Sequence, residues 1–91
     1  HAANYREQKK KIEREAGRIK KQITTIEKEI QNLEEKIAEY EVMFSKPDFF
    51  ADVDNSKMKQ NEYENFQSTL SEKMDKWTEL NEQLGEIEQE L

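Results

Sequence analysis

The chain has 91 residues, of which 33% are apolar and 40% are charged, and its formal net charge is −6. This length allows one domain at most, and the composition is too polar for a compact globule around a central core. Two Gly, one Pro and no Cys are typical of a helix-rich intracellular chain without disulfides. No apolar run exceeds three residues, so neither a transmembrane helix nor a signal peptide is expected.

Motifs that carry catalytic chemistry are missing from the sequence. The single histidine, His1, gives a metal site nothing to build on. There is no Gly-rich phosphate loop and no nucleophile elbow. We therefore expect this segment to contain no catalytic residue, no metal and no cofactor.

The first half of the chain carries apolar residues at the seven-residue interval of a coiled-coil helix. One set lies at heptad position d and a second set, four residues on, at position a. They predict a helix over about residues 5–44, which ends because Pro47 and the residue before it disfavour helix. The members of this seam are Ile12, Ile19, Ile26, Leu33 and Tyr40 at d, and Ala16, Ile23, Ile30, Ile37 and Phe44 at a.

The segment 45–56 is a predicted tip between two helices, and it is unusually apolar for a loop. A short helical turn is expected from near Pro47, followed by the N-cap of the next helix among residues 54–56. Two interpretations of Phe49 and Phe50 stay open. They can pack with neighbouring apolar side chains as a cap that fixes the turn, or they can form a knob that docks onto a partner.

A second heptad pattern predicts a helix over about residues 57–90. In an antiparallel hairpin, position a of one helix lies opposite position d of the other. A single register then pairs all of these positions, including Ile26 with Trp77 and Leu33 with Leu70. Trp77 is expected to be buried in mid-seam. The second seam consists of Tyr63, Leu70, Trp77, Leu84 and Leu91 at a, with Phe66, Leu80 and Ile87 at d. We predict an all-α fold, an antiparallel two-helix coiled-coil hairpin that forms one domain over residues 1–91.

Polar residues at and beside the seam add two expectations. Lys73 occupies a d position opposite Ile30, and its ammonium should extend outward while its stem covers Ile30. Glu29 and Lys76, both at g, are expected to form an ion pair between the helices, which contributes only about 0.2–1 kcal/mol when exposed. A lone hairpin buries one stripe per helix, so modest thermal stability or a weak homodimer is expected.

Charge is unevenly distributed along the chain. Residues 1–28 carry nine Lys or Arg against four Glu, a net charge of +5, whereas residues 29–91 carry six against seventeen, a net charge of −11. Five of the basic residues lie at c and f, on the face that points away from the partner helix. Such a stripe is either a solvated surface or a site for phosphate, and without interleaved aromatic residues it would contact backbone phosphate and not bases. The candidate contacts are Lys10, Lys11, Arg14, Arg18, Lys21 and Lys28.

A basic coiled-coil helix, then Ser-Lys-Pro-Asp-Phe-Phe-Ala-Asp at 45–52, then Lys-Trp-Thr-Glu-Leu at 76–80, resembles the C-terminal domain of ABC-F ATPases. The tip of that family reads like Pro-Asp followed by two aromatic residues, and its second helix carries Arg/Lys-Trp-x-x-Leu. The opening residues 5–10 resemble the linker that leaves the second ATPase domain. The resemblance covers nearly the whole chain.

This resemblance implies a cytoplasmic parent with two nucleotide-binding domains and no membrane span. ATP and Mg would belong to the parent, because none of the ATPase motifs lies in these residues. The implied partners are the parent's ATPase domains and a nucleic acid, since family members act mostly on ribosomes and the Uup-type hairpin is associated with DNA binding. Phosphate recognition does not distinguish DNA from ribosomal RNA. The alternative is a structural or protein-interaction hairpin that does not bind nucleic acid.

Overall fold

The computed structural model describes residues 2–91. Helix α1 spans Ala2–Phe44, a short 3-10 helix spans Pro47–Ala51, and helix α2 spans Val53–Glu88. No strand occurs among these residues. The all-α, antiparallel two-helix hairpin is therefore confirmed.

Helix α1 ends where the sequence predicts. The backbone N–H of Ser45 donates to Glu41 O at 3.2 Å, and its hydroxyl donates to Val42 O at 2.6 Å. Lys46 then adopts extended angles, φ −80° and ψ 131°, as the residue before a proline prefers. The expected helical turn at the tip is the 3-10 helix that starts at Pro47. The start of α1 lies at Ala2, earlier than the predicted residue 5.

The start of α2 corrects the sequence prediction. The helix begins at Val53 and not at Lys57, and the predicted tip of residues 45–56 is correspondingly shorter. Its N-cap is Asp52, whose Oδ1 accepts the backbone N–H of Asn55 at 3.1 Å. Residues 54–56, where the N-cap was predicted, lie inside the helix. Ser56 is buried there at 5% exposure, and its hydroxyl donates to Val53 O at 2.9 Å.

The described chain forms two compact units. Residues 2–27 with 75–91 make up one, here called the base unit, and residues 28–74 make up the other, here called the tip unit. Each unit contains a part of both helices. A single domain over the whole chain stays a prediction.

The core of the base unit is aliphatic. Ile19 and Leu80 are each 2% exposed and Ile23 is 8% exposed. These three side chains form one cluster, on which Ile26, Leu84 and Ile87 pack. The cluster thus joins predicted seam positions of both helices. Fully burying one such side chain contributes about 1.5–3 kcal/mol.

Trp77 departs from the seam prediction. Its side chain is 38% exposed, so it does not lie buried in mid-seam. The predicted contact between Ile26 and Trp77 stays a prediction, as does the one between Leu33 and Leu70. Leu91, the last predicted a position, is 51% exposed and lies beyond the end of α2.

Aromatic rings hold the tip unit together. Tyr40 and Phe44 of α1 contact Phe66 and Tyr63 of α2, with ring centroids 5.2 Å apart for Tyr40 and Phe66 and 5.1 Å apart for Phe44 and Tyr63. Both pairs meet edge to face, the geometry that the ring quadrupoles favour. Phe49 of the 3-10 helix extends the cluster, with its centroid 5.0 Å from that of Phe44.

Two reciprocal hydrogen bonds join the helices beside these rings. Tyr40 of α1 donates its hydroxyl to Glu62 of α2, and Tyr63 of α2 donates to Glu41 of α1 at 2.9 Å. The bond to Glu62 raises the pKa of the Tyr40 phenol and lowers the pKa of the Glu62 carboxyl. The bond to Glu41 likewise raises the pKa of Tyr63. Each tyrosine thus fixes a carboxylate of the opposite helix.

Lys73 forms the ion pair that the sequence assigned to Lys76. Its Nζ lies 2.7 Å from Glu29 Oε2, across the two helices of the tip unit. The lysine stem is half-buried at the seam, as expected for a d position, and its charge is paired with an acid. A pair between Glu29 and Lys76 would join the two units and stays a prediction. Lys76 lies in the base unit, with its Nζ 3.4 Å from Glu79 Oε2.

Candidate nucleic-acid interface

Five of the six candidate phosphate contacts lie on α1 within the base unit. They are all exposed, because Lys10 lies at b and the other four lie at c or f, positions that face away from the a and d seam. Because Lys28 belongs to the tip unit, the candidate interface includes only the residues of the base unit. These residues, called the basic stripe below, are Lys10, Lys11, Arg14, Arg18 and Lys21.

Most of the stripe charge is uncompensated by ion pairs. Among the described residues, the one ion pair within 4.0 Å of a stripe cation joins Arg18 to Glu15 at 3.8 Å. Both side chains of that pair are more than half exposed, so the bond contributes little and exchanges readily with a ligand. Lys20, which flanks the stripe, pairs instead with Glu88 of α2 at 3.9 Å. The stripe cations are thus free to meet an external anion.

Two shallow depressions run beside the stripe. Lys10, Lys11 and Arg14 line the first, together with the polar side chains of Asn4, Glu7 and Gln8. Both sides of this depression come from α1. Its only acid is Glu7, so the wall of the depression carries a net positive charge.

Residues of both helices line the second depression. Arg18, Lys21, Gln22 and Thr25 line it from α1, and Lys76 lines it from α2. The half-buried Ile26 supplies apolar surface, and the buried Leu80 also lines the depression. The Thr25 hydroxyl donates to Lys21 O at 3.1 Å, and the other side-chain donors are those of Arg18, Lys21, Gln22 and Lys76. Of these, Arg18 and Lys76 each form an exposed ion pair with a carboxylate of their own helix. Three of these four groups are cationic.

Sequence reasoning missed Lys76 as a member of this site. Heptad position g flanks the seam, and that position was a signal that Lys76 could stand beside residues of α1. Lys76 was set apart from the stripe because it lies on the acidic second helix. The spacing of charges along one helix does not show which charges of the other helix lie alongside.

The apolar tip is only partly self-packed. Phe49 is half-buried between Phe44 and Phe50, as the cap interpretation predicts. Phe50, however, is 53% exposed, so the two rings are not both buried, as a fully self-packed cap would require. Val42, Val53 and Met58 are also more than half exposed and do not close over the turn. A partner-docking role for Phe49 and Phe50 stays a prediction.

Other kinds of site find no support in the described part of the chain. Residues 2–91 contain no group of three or more His, Asp or Glu side chains that could hold a metal ion. Neither described helix is long and apolar enough to cross a membrane.

The described residues thus form a helical hairpin with an exposed basic face on α1. The family model described as "ABC transporter C-terminal domain" matches residues 4–82. The chain belongs to that family. No curated protein and no solved structure matches it. The match confirms the resemblance at the level of ABC transporter ATPases and leaves the ABC-F and Uup-type assignment a proposal.

Proposed function

We propose that this domain binds the phosphate backbone of a nucleic acid through the basic stripe, as the C-terminal hairpin of an ABC-F-type ATPase. The parent would hydrolyse ATP with Mg in its nucleotide-binding domains, in the cytoplasm, and the hairpin would anchor it. The observation that carries the proposal is the set of exposed cations on one face of α1, of which only Arg18 has an ion-pair partner. On a chain with a net charge of −6, such a face attracts anions locally.

The form of the site favours binding without base readout. Lys and Arg contacts to phosphate position a protein on nucleic acid but carry no sequence information. No aromatic residue lies within the stripe, so stacking with exposed bases adds nothing. We expect duplex DNA and structured RNA to bind with similar, weak affinity, in the range of about 1–100 micromolar.

Fluorescence anisotropy with labelled duplex DNA and with a labelled RNA hairpin tests the proposal. With about five cations engaged, the logarithm of affinity should fall against the logarithm of salt concentration with a slope of about −4. The double variant Arg14→Glu/Lys21→Glu should lose binding at low salt and keep its helical circular dichroism, because neither residue touches the core.

The chain offers a matched control. The variant Lys46→Glu/Lys57→Glu changes the net charge by the same amount, and both of its lysines are exposed and lie in the tip unit. It should bind much as the wild type does. Equal losses from the two double variants would show general charge attraction instead of a site. Absence of wild-type binding at low salt would overturn the proposal.

The alternative function, protein docking through the tip, rests on the exposure of Phe50, Val53 and Met58. These apolar side chains lie in a tip unit that carries eleven acidic residues against six basic ones. A partner with an apolar pocket in a basic surface fits that composition. A Phe50→Ala variant that binds nucleic acid normally but no longer supports function of the full-length parent would favour this alternative.

A further inference from the structure

The second depression of the base unit contains a cation that the basic stripe does not include. Lys76 comes from α2, which is otherwise strongly acidic between residues 75 and 91. It lines the same depression as Arg18 and Lys21 of α1. Cations from two helices therefore face one small volume, with the half-buried Ile26 as apolar surface beside them.

We infer that Lys76 completes a two-helix seat for one sugar–phosphate unit of the bound nucleic acid, together with Arg18 and Lys21. The inference rests on the proposed function and deepens it, because it assigns a binding residue on the acidic helix. The guanidinium of Arg18 can hold two phosphate oxygens at once, and each lysine adds a point charge. The half-buried side chain of Ile26 suits the carbon face of a sugar better than it suits a fully hydrated inorganic ion.

Glu79 is the group that competes with this ligand. Its Oε2 lies 3.4 Å from Lys76 Nζ, and both side chains are more than half exposed. An exposed pair of this kind is worth at most about 1 kcal/mol, so a phosphate can displace the carboxylate. Glu79 therefore weakens the seat when it holds Lys76, and removing its charge should tighten binding.

The first experiment compares three single variants by anisotropy with labelled duplex DNA. Lys76→Gln should weaken binding by the same factor as Lys21→Gln and lower the salt slope by about one unit, the value for one phosphate contact. Lys57→Gln is the matched control, since it also removes an exposed lysine from α2, and it should bind as the wild type does. Circular dichroism should be unchanged in all three.

A double-mutant cycle separates a direct contact from general charge. Glu79→Gln should tighten binding more than Glu86→Gln, an exposed acid on the same helix that forms no ion pair within 4.0 Å in the described residues. In the Lys76→Gln background, Glu79→Gln should tighten binding no more than Glu86→Gln does. The Glu79 carboxylate then has no lysine for which it could compete with the phosphate.

The outcomes distinguish this inference from the proposed function. Wild-type affinity in Lys76→Gln, alongside weakened binding in Lys21→Gln, would overturn the two-helix seat and leave the stripe intact. If Glu79→Gln still tightened binding more than Glu86→Gln in the Lys76→Gln background, that result would also overturn it. Absence of any wild-type binding would overturn both.

Discussion

The base unit and the tip unit contain the same two helices but join them with different side chains. In the base unit the contact is aliphatic, with Ile19, Ile23 and Leu80 buried. In the tip unit four seam positions carry rings, those of Tyr40, Phe44, Tyr63 and Phe66, and Tyr40 and Tyr63 add a hydrogen bond from each helix to the other. Aliphatic contacts are non-directional, whereas edge-to-face rings and hydroxyl donors need a defined geometry.

The two units also differ in how many of their basic residues have partners within the unit. The base unit presents uncompensated cations on α1, whereas three of the six cations of the tip unit contact side chains of that unit. Lys73 pairs with Glu29, Lys59 pairs with Glu62 at 3.6 Å, and Lys36 Nζ lies 5.7 Å from the centroid of the Phe66 ring. Half of the basic residues of the tip unit thus stabilise the fold, while of the basic stripe in the base unit only Arg18 has an ion-pair partner.

The largest expected effect comes from the aliphatic core. Leu80→Ala should lower the free energy of unfolding by about 2–5 kcal/mol, because the side chain is 2% exposed and its loss leaves a cavity. Trp77→Ala, one turn away, should cost less than the 3–5 kcal/mol typical of a buried Trp, since Trp77 is 38% exposed. Urea denaturation followed by circular dichroism measures both. A larger loss for Trp77→Ala would contradict the aliphatic description of the base unit.

An intermediate effect is expected in the aromatic cluster. Phe49 contacts two rings, those of Phe44 and Phe50, whereas Phe50 contacts Phe49 and is largely exposed. At about 0.5–1.5 kcal/mol for each ring pair, Phe49→Ala should cost about 1–3 kcal/mol and Phe50→Ala about half of that. The same denaturation experiment compares them. Equal losses would show that Phe50 packs into the tip unit more than its exposure indicates.

The smallest effect is confined to alkaline pH and comes from the reciprocal tyrosines. Their pKa values are raised in the folded state by hydrogen bonds to Glu62 and Glu41. Such groups contribute stability that is fully present below the unfolded pKa of about 10 and is lost as pH rises through the folded pKa. Stability should therefore fall above about pH 10, and less steeply in Tyr40→Phe/Tyr63→Phe. Urea midpoints at a series of pH values test this, and identical profiles would show that the hydroxyl bonds do not stabilise the fold.

Heptad periodicity alone was enough to predict most of the fold. Both helices, the antiparallel pairing, the end of α1 at Phe44 and the helical turn at Pro47 follow from local rules, since a seven-residue repeat and a proline act within a few residues of themselves. The start of α2 did not follow. Several residues between 52 and 56 are good N-caps, and only the hydrogen bond from Asn55 shows that Asp52 is the one used.

Part of the candidate site could likewise be predicted from the sequence, and part depends on the tertiary structure. The stripe from Lys10 to Lys21 could be found in the sequence, because c and f positions of one helix are fixed by its own heptads. Its extension to Lys76 could not, because that depends on which charges of two different helices come to lie side by side. The sequence by itself thus determined the helices and the outward basic face. Only the tertiary structure decided that Lys73 pairs with Glu29, that Trp77 is exposed, and that Lys76 stands beside Arg18 and Lys21, since each of these depends on contacts between residues far apart in the chain.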